Sequence, residues 1–260
     1  MLRLRDSRTG SSAVVRPARP GLLRVCAHVP GDSSLTAQRI LLVADLVARV
    51  AELGNLQAIT MLATTGGSAE DMPALKLAAD ALGIRPPAEQ ARSGDAESSP
   101  GGPADVHVVG SGTDMAGDQS GVVIRVGDAA ARRTGQGQEI ADVMAAREQD
   151  PIAVRFALLS FPVHQAAEIT DGELAGSRET IGDWRRRVAR WAESPSKPIP
   201  AHVSGMIRAA LDDLDIPSAI ALLRSLAHDD GVPAGAKFET FVYTDRILGL
   251  ELPRDIGKPV

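Results

Sequence analysis

The sequence predicts an α/β domain with a parallel sheet, followed by an all-α helical bundle. In the first half, two apolar segments of strand length are each followed by a segment with apolar residues at helical spacing. Such alternation is typical of parallel strands joined by crossover helices. From about Gln136 onward the spacing is helical, with prolines between the segments. The 260 residues, 44% of them hydrophobic, are enough to bury a large core.

The first segment has the pattern of a β-hairpin. Leu2 and Leu4 alternate with arginines, a Thr-Gly turn follows, and residues 13–15 are apolar again. The first 24 residues contain six arginines and one acidic residue, Asp6, a composition also typical of transit peptides. They contain no apolar signal core, so we interpret them as an ordered hairpin in a cytoplasmic protein.

Strands and helices alternate after the hairpin. Apolar composition predicts strands at residues 21–29, 56–63, 105–109 and 122–126. Helical spacing that stops at a glycine predicts helices at residues 35–53 and 69–82. Residues 84–104 are rich in Pro, Gly, Ser and charge, which indicates a flexible loop.

The second half is predicted to be helical throughout. The expected helices cover residues 137–149, 151–161, 171–193, 199–212, 216–228 and 235–248. We place the boundary near Asp150-Pro151, which gives an α/β domain at 1–149 and a bundle at 150–260. Trp184 and Trp191 are seven residues apart and therefore share one helix face, where core packing is the expected role.

Composition excludes several classes of function. The chain has 28 basic and 33 acidic residues, a net charge of −5, so there is no global electrostatic footprint for nucleic acid. Aromatic residues make up 3%, which is too few for base-stacking platforms. The single cysteine, Cys26, fits a reducing compartment. No apolar run approaches the ~20 residues that cross a bilayer, and we expect a cytoplasmic location with no membrane partner.

Polar residues follow the first two predicted strands. In a parallel sheet these carboxyl ends form a crevice where ligands bind, and free amides at a helix start can hold an anion. The candidate crevice residues are Asp32, Ser33, Ser34, Thr36, Thr64 and Thr65. For the first group helix capping is the more common reason for such residues, and ligand binding is the alternative. For Thr64 and Thr65 a flexible turn and a pocket rim both remain open. The turn at residues 110–114 is a further, weaker candidate for binding phosphate.

Metal chemistry is not expected from the sequence. Cys26 and His28 share one face of a predicted strand, but zinc normally takes three or four protein ligands. The remaining histidines are scattered along the chain, at His107, His164, His202 and His228. The sequence contains no Walker lysine, no Gly-x-Ser-x-Gly elbow and no Gly-x-Gly-x-x-Gly turn opening a helix.

Several segments resemble cysteinyl-tRNA synthetases and the related ligase that joins cysteine to a sugar amine in mycothiol biosynthesis. These are MLRLRDSRTG, RPGLLRVCAHV, Asp150-Pro151 followed by VRFALLS, ALDDLDIPSAIALL and TDRILGLEL. The resemblance covers nearly the whole chain, with a large piece absent from the middle of the catalytic domain. It implies a Rossmann-like domain of the class I synthetase type, followed by a bundle similar to the tRNA-binding domain.

The family's functional motifs have only partial counterparts. Its His-Ile-Gly-His motif, which acts on ATP phosphates, falls on residues 34–37, which read SLTA. Its Lys-Met-Ser-Lys-Ser loop falls within residues 127–138, where Arg132 and Arg133 are the basic residues. Residues 105–114 resemble a reduced Asp-x-His-Gly-Gly-Gly strand. Of the family's zinc ligands, two cysteines, a histidine and a glutamate, Cys26 matches the first and the others have no counterpart.

The resemblance therefore suggests a pseudoenzyme, a non-catalytic binding or scaffolding paralogue of the synthetases. Its candidate ligands are a nucleotide, such as ATP or an adenylate, or a cysteine derivative, and a protein partner is an alternative. A second interpretation is an active ATP-dependent cysteine ligase in which residues 32–36 bind phosphates and Arg132 and Arg133 supply charge. A third is a tRNA-binding module whose phosphate-contacting face consists of Arg185, Arg186, Arg187 and Arg190.

Overall fold

The computed structural model describes residues 2–66, 71–92, 102–113, 120–132 and 150–258. The first part contains β1 (Arg3–Arg5), β2 (Ser12–Val14), β3 (Leu22–Pro30), α1 (Leu35–Leu53), β4 (Gln57–Thr65), α2 (Asp71–Ala81), β5 (Glu89–Arg92), β6 (Val106–Gly110), β7 (Val122–Val126) and β8 (Ala129–Arg132). The second contains α3 (Pro151–Leu159), β9 (Ala167–Thr170), α4 (Asp171–Trp191), α5 (Ala201–Asp212), α6 (Ile216–His228), α7 (Ala234–Leu248) and a 3₁₀ helix (Leu252–Asp255).

A five-stranded parallel sheet forms the centre of the first part. Its order is β5-β4-β3-β6-β7, so the chain adds strands on one side of β3 and then on the other. Cys26 in β3 is paired with Met61 in β4 and with His107 in β6. Helix α1 packs on the face formed by Val25, Ala27 and Val29, and both of its faces are largely buried. The predicted α/β fold is confirmed.

The N-terminal hairpin is also confirmed. Strands β1 and β2 are antiparallel, with Leu4 opposite Ala13. Leu2 and Leu4 point into the core, with Leu4 fully buried, while Arg3 and Arg5 face outward. Alternation of apolar and charged residues thus fixes which face of this short ribbon packs on the domain.

Three strands occur where the sequence predicts none. Strand β5 lies inside the expected loop 84–104 and pairs with β4 at the edge of the sheet. Strand β8 lies within residues 127–138, which were matched to the family's Lys-Met-Ser-Lys-Ser loop, and it pairs in parallel with β9, which interrupts the expected run of helices. All three have four residues, too few for a period to be recognised. The helix expected at 137–149 lies outside the described residues.

The helices of the second part have clear start signals and a shared aromatic core. Asp150 caps α3, with Pro151 in the first turn, and Thr170 and Glu173 form a capping box on α4. The rings of Trp184 and Trp191 meet Phe241 of α7 edge to face, with centroids 5.4 and 5.1 Å apart. The expected core role of both tryptophans is confirmed. Across the described ranges, every helix is too short or too polar to cross a bilayer.

Candidate functional site

The carboxyl ends of β3, β4 and β6 lie at one edge of the sheet. Chain order reverses between β3 and β6, and in open α/β sheets the crevice at such a reversal is where ligands bind. The turn after β3, residues 31–34, therefore borders the crevice. Sequence reasoning placed the crevice between β3 and β4 and treated the turn at residues 110–114, which follows β6, as a separate candidate, because the strand order cannot be read from local patterns.

The turn before α1 is held by its own side chains. Asp32 Oδ1 accepts hydrogen bonds from the amide and the hydroxyl of Ser34, at 3.1 and 2.7 Å. Ser34 is the N-cap of α1, and its Oγ accepts from the amide of Ala37 at 3.2 Å. Gln38 bonds back to the carbonyl of Ser33 at 3.0 Å. The predicted capping role is confirmed, and Asp32 places an exposed carboxylate at the start of the helix.

The first turns of α1 are tied to the segment around β8. Thr36 Oγ1 accepts from the Ala129 amide at 2.9 Å and donates to the Ala129 carbonyl at 3.2 Å. Arg39 is buried and donates to four carbonyl oxygens, those of Gly127, Asp128, Pro162 and Gln165. Burial lowers the pKa of Arg39 to about 10, so it remains charged at neutral pH. Thr36, a predicted crevice residue, is therefore a structural link between α1 and β8. Arg39 was missed because nothing in its spacing is unusual.

The ends of β4 and β6 form the remaining described borders of the crevice. Thr64 and Thr65 are paired along the backbone with Val29 and Pro30, which places them beside the turn after β3, as predicted. On the other side, Ser111 Oγ donates to Asp128 Oδ1 at 2.8 Å. Arg125 Nη1 donates to the carbonyl of Thr113 at 2.9 Å and brings a positive charge that sequence reasoning did not identify.

Of the two arginines expected to supply charge, Arg132 lies within the described residues and Arg133 does not. Arg132 ends β8 and forms an exposed ion pair with Glu168 of β9, with Nε and Oε1 2.8 Å apart. This pair arises because β8 and β9 lie side by side in register. Arg133 lies outside the described residues.

A second group of functional side chains lies on the sheet face opposite α1. Cys26 and His28 alternate along β3, and His107 on β6 is the register partner of Cys26. His28 Nε2 and His107 Nδ1 are 3.0 Å apart, and Cys26 Sγ lies within 4.8 Å of one ring nitrogen of each histidine. All three side chains are buried. The expectation that His107 lies apart from the other two is wrong, because strand pairing across β3 and β6 brings it to them.

The surroundings keep Cys26 and His28 uncharged at neutral pH. Burial, together with repulsion from His107, lowers the pKa of His28 to about 4. Burial raises the pKa of the Cys26 thiol to about 12, although the nearby charge of Arg24 acts in the opposite direction. Arg24 Nη2 is itself 3.5 Å from Glu89 Oε2 and 2.8 Å from Met61 Sδ. The second nitrogen of His107, Nε2, is 3.2 Å from the Ser120 carbonyl.

No family model matches the chain, but curated cysteine ligases do. The L-cysteine:1D-myo-inositol 2-amino-2-deoxy-alpha-D-glucopyranoside ligase of Thermobispora bispora is 35% identical over 106 residues, 40% of this chain and 25% of the ligase. The ligase of the same name from Acidothermus cellulolyticus is 31% identical over 133 residues, 51% and 32% of the two chains. The one from Geodermatophilus obscurus is 37% identical over 109 residues, 40% and 25%. The chain is similar in sequence to these cysteine ligases.

A solved structure extends the likeness to the fold. A protein assigned as an arginyl-tRNA synthetase from Campylobacter jejuni superposes with a TM-score of 0.53 over 91% of both chains, at 10% identity. That identity shows a common fold and nothing finer. The matched segments of the three ligases amount to between 25% and 32% of their lengths. The predicted relationship to the cysteine ligases and the synthetase fold is thereby confirmed.

The zinc site that the resemblance implies does not fit these 260 residues. It would need a second cysteine beside Cys26, and the sequence contains one cysteine. The structure instead places His28 and His107 around Cys26, and neither was matched to a ligand of the family. The implied ligand set and the observed cluster therefore share one residue.

The arginine face expected on α4 is corrected by the structure. Arg185 is buried and donates to the carbonyls of Leu250 and Glu251, and Arg187 pairs with Asp183 at 2.6 Å. Arg186 and Arg190 are exposed. Four arginines within six residues of a helix cannot share one face, because successive side chains are about 100° apart. The predicted phosphate-contacting face is thus reduced to two residues.

Proposed function

We propose that this chain is a non-catalytic relative of the cysteine ligases that does not activate cysteine with ATP. The observation that carries the proposal is the start of α1, where residues 34–37 stand at the positions matched to His-Ile-Gly-His. There Ser34 is the helix N-cap and Thr36 is bonded to Ala129. Both hydroxyls form hydrogen bonds with backbone groups of the chain, and neither can act as the imidazolium cation that stabilises charge on phosphates.

The expected loss of rate is large. A missing acid–base or charge-stabilising group typically costs about 10²–10⁴ in rate, and groups that act together do not replace one another. The alternative of an active ligase depends on Arg132 and Arg133. The pairing of Arg132 with Glu168 weighs against that alternative, because the charge is already compensated.

The retained role that we propose is binding in the crevice between β3, β4 and β6, with a nucleotide or a cysteine derivative as ligand. Its support is the topological switch point and the polar residues along its border. Isothermal titration with MgATP, and separately with cysteine, tests this role. We expect saturable binding of one of them without formation of AMP. Saturable heat with neither would contradict the binding role.

The carboxylate of Asp32 provides a specific control for nucleotide binding. If MgATP is the ligand, Asp32→Asn removes a like charge from the crevice and tightens binding by about two- to fivefold. Asp229→Asn is the matched control, because Asp229 is also exposed and also accepts a backbone amide two residues on, that of Gly231 at 2.8 Å. We expect it to leave the dissociation constant unchanged. An equal effect of both variants would place the nucleotide elsewhere.

A cytoplasmic location is part of this proposal. Its support is the single cysteine, which is buried as a free thiol in the sheet. Free thiols persist in reducing compartments. Fractionation of the cells that express the chain, followed by immunoblotting, tests the location.

A further inference from the structure

We propose that Cys26, His28 and His107 bind one zinc ion through Sγ, Nε2 and Nδ1. The proposal goes beyond the proposed function, since it holds whether or not the chain activates cysteine. It also replaces the expectation, drawn from the sequence alone, of no metal. Two of the three ligands lie outside the family's ligand set, so the site follows from this chain's own geometry.

The distances suit a tetrahedral ion. Zinc binds imidazole nitrogen at 2.0–2.1 Å and thiolate sulfur at about 2.3 Å, so two nitrogen ligands are roughly 3.3 Å apart and nitrogen and sulfur roughly 3.6 Å. His28 Nε2 and His107 Nδ1 are 3.0 Å apart, and Cys26 Sγ lies within 4.8 Å of one ring nitrogen of each histidine. On the proposal, side-chain rotation brings the sulfur and the two nitrogens to these ligand distances.

The hydrogen bonds around His107 favour the ligating tautomer. Its Nε2 is 3.2 Å from the Ser120 carbonyl, which can only accept, so Nε2 carries the proton and Nδ1 has a lone pair. A backbone carbonyl on the distal nitrogen is the usual support of a zinc-binding histidine. His28 Nε2 faces that lone pair and carries the proton between the two rings. When the ion takes the place of that proton, the proton moves to His28 Nδ1, so the imidazole stays neutral. The Cys26 proton leaves to solvent when the thiolate binds.

The charges around the cluster permit a dication. Arg24 precedes Cys26 by two residues on the same face, and its cation is partly offset by Glu89 Oε2 at 3.5 Å. A thiolate and two neutral imidazoles bind zinc in preference to cations that favour oxygen ligands, such as magnesium. Three protein ligands leave the fourth tetrahedral position to water or to another small ligand.

The test is metal binding by the chelator-stripped full chain. We expect one equivalent of Zn²⁺ in competition with a chromophoric chelator, and a higher melting temperature with zinc. Co²⁺ in place of zinc should give a sulfur-to-metal charge-transfer band. Because the sequence has one cysteine, that band reports Cys26 without any variant. Less than stoichiometric zinc binding, or a cobalt complex without the band, would overturn the proposal.

Variants locate the other ligands. Cys26→Ser and His107→Gln should weaken zinc binding by more than about 100-fold. Loss of a group that only hydrogen-bonds to a metal ligand already lowers metal affinity by about 10–100-fold. The control is His202→Ala, since His202 is exposed on α5. Wild-type affinity in folded Cys26→Ser or His107→Gln would contradict the assignment. The wild-type cobalt spectrum decides the case if a variant fails to fold.

Discussion

Asp45 of α1 and Arg155 of α3 form a buried ion pair, with Oδ2 and Nη2 3.5 Å apart and side chains 2% and 0% exposed. Asp45 also accepts from Arg49 Nε at 2.7 Å and from Arg85 Nε at 2.8 Å. Arg155 donates to the carbonyls of Leu82 and Leu248. Burial lowers the pKa of Arg155 to about 10, so its guanidinium is charged at neutral pH. It joins the sheet domain to the helices that follow it.

Asp45→Asn should lower the free energy of unfolding by about 3 kcal/mol, because it leaves the Arg155 charge buried without a full partner. Urea denaturation followed by tryptophan fluorescence measures this loss. The control is Arg208→Gln, which removes an exposed pair with Asp212 at 3.8 Å and should cost about 0.5 kcal/mol or less. Equal effects of the two variants would show that the buried pair does not couple the two parts.

Thr36→Val tests whether the start of α1 is a structural link. Valine keeps the shape but leaves the Ala129 amide without its acceptor, so we expect a loss of about 1–2 kcal/mol. Thr36→Ser keeps the hydroxyl and should lose less. Hydrogen exchange at the Ala129 amide should accelerate in the valine variant only. Stability as high in the valine as in the serine variant would contradict the link.

The lowered pKa of Asp6 predicts that the stability of the protein depends on pH. Burial acts to raise the pKa of Asp6, but hydrogen bonds from the Arg8 side chain and amide outweigh it and hold that pKa below its ordinary value. A carboxyl with a lowered folded-state pKa contributes stability above its unfolded pKa and loses it as the pH falls through the folded pKa. The stability lost in Asp6→Asn should therefore be largest near pH 7 and shrink below about pH 4.

Arg8→Met provides the matched variant for that prediction, because it leaves the Asp6 carboxylate in place and removes its cation. Its stability deficit should also shrink toward acid pH, since the protonated carboxyl no longer attracts Arg8. Urea unfolding at several pH values measures both variants. A deficit that is the same at pH 7 and pH 3 for both would show that Arg8 and Asp6 contribute through packing alone.

The sequence predicted the elements that carry strong local signals. Helix α1 begins and ends at the predicted residues, because Ser34 caps its start and Gly54 follows its end. Strands β5, β8 and β9 were missed, because four residues give no period and their pairing depends on distant chain segments. Local patterns thus predicted the alternation of strands and helices but not the short strands β5, β8 and β9.

The candidate site, too, could be predicted only where local sequence patterns determine it. Residues at strand ends, such as Asp32 and Thr64, follow from the alternation of strands and helices. The approach of His107 to Cys26 depends on β6 joining β3 on the side away from β4, and that order is set by the whole sheet. Arg39 has ordinary helical spacing, and its four carbonyl partners come from segments about 90 to 125 residues away.

Cysteine-dependent exchange of pyrophosphate into ATP tests the central claim most directly. The purified chain is assayed with MgATP, labelled pyrophosphate and cysteine, beside a cysteinyl-tRNA synthetase as the positive control. We predict no exchange above the blank without protein, because residues 34–37 supply no imidazole to the phosphates. Cysteine-dependent exchange that Arg132→Ala and Arg133→Ala abolish would contradict the claim and identify an active ligase.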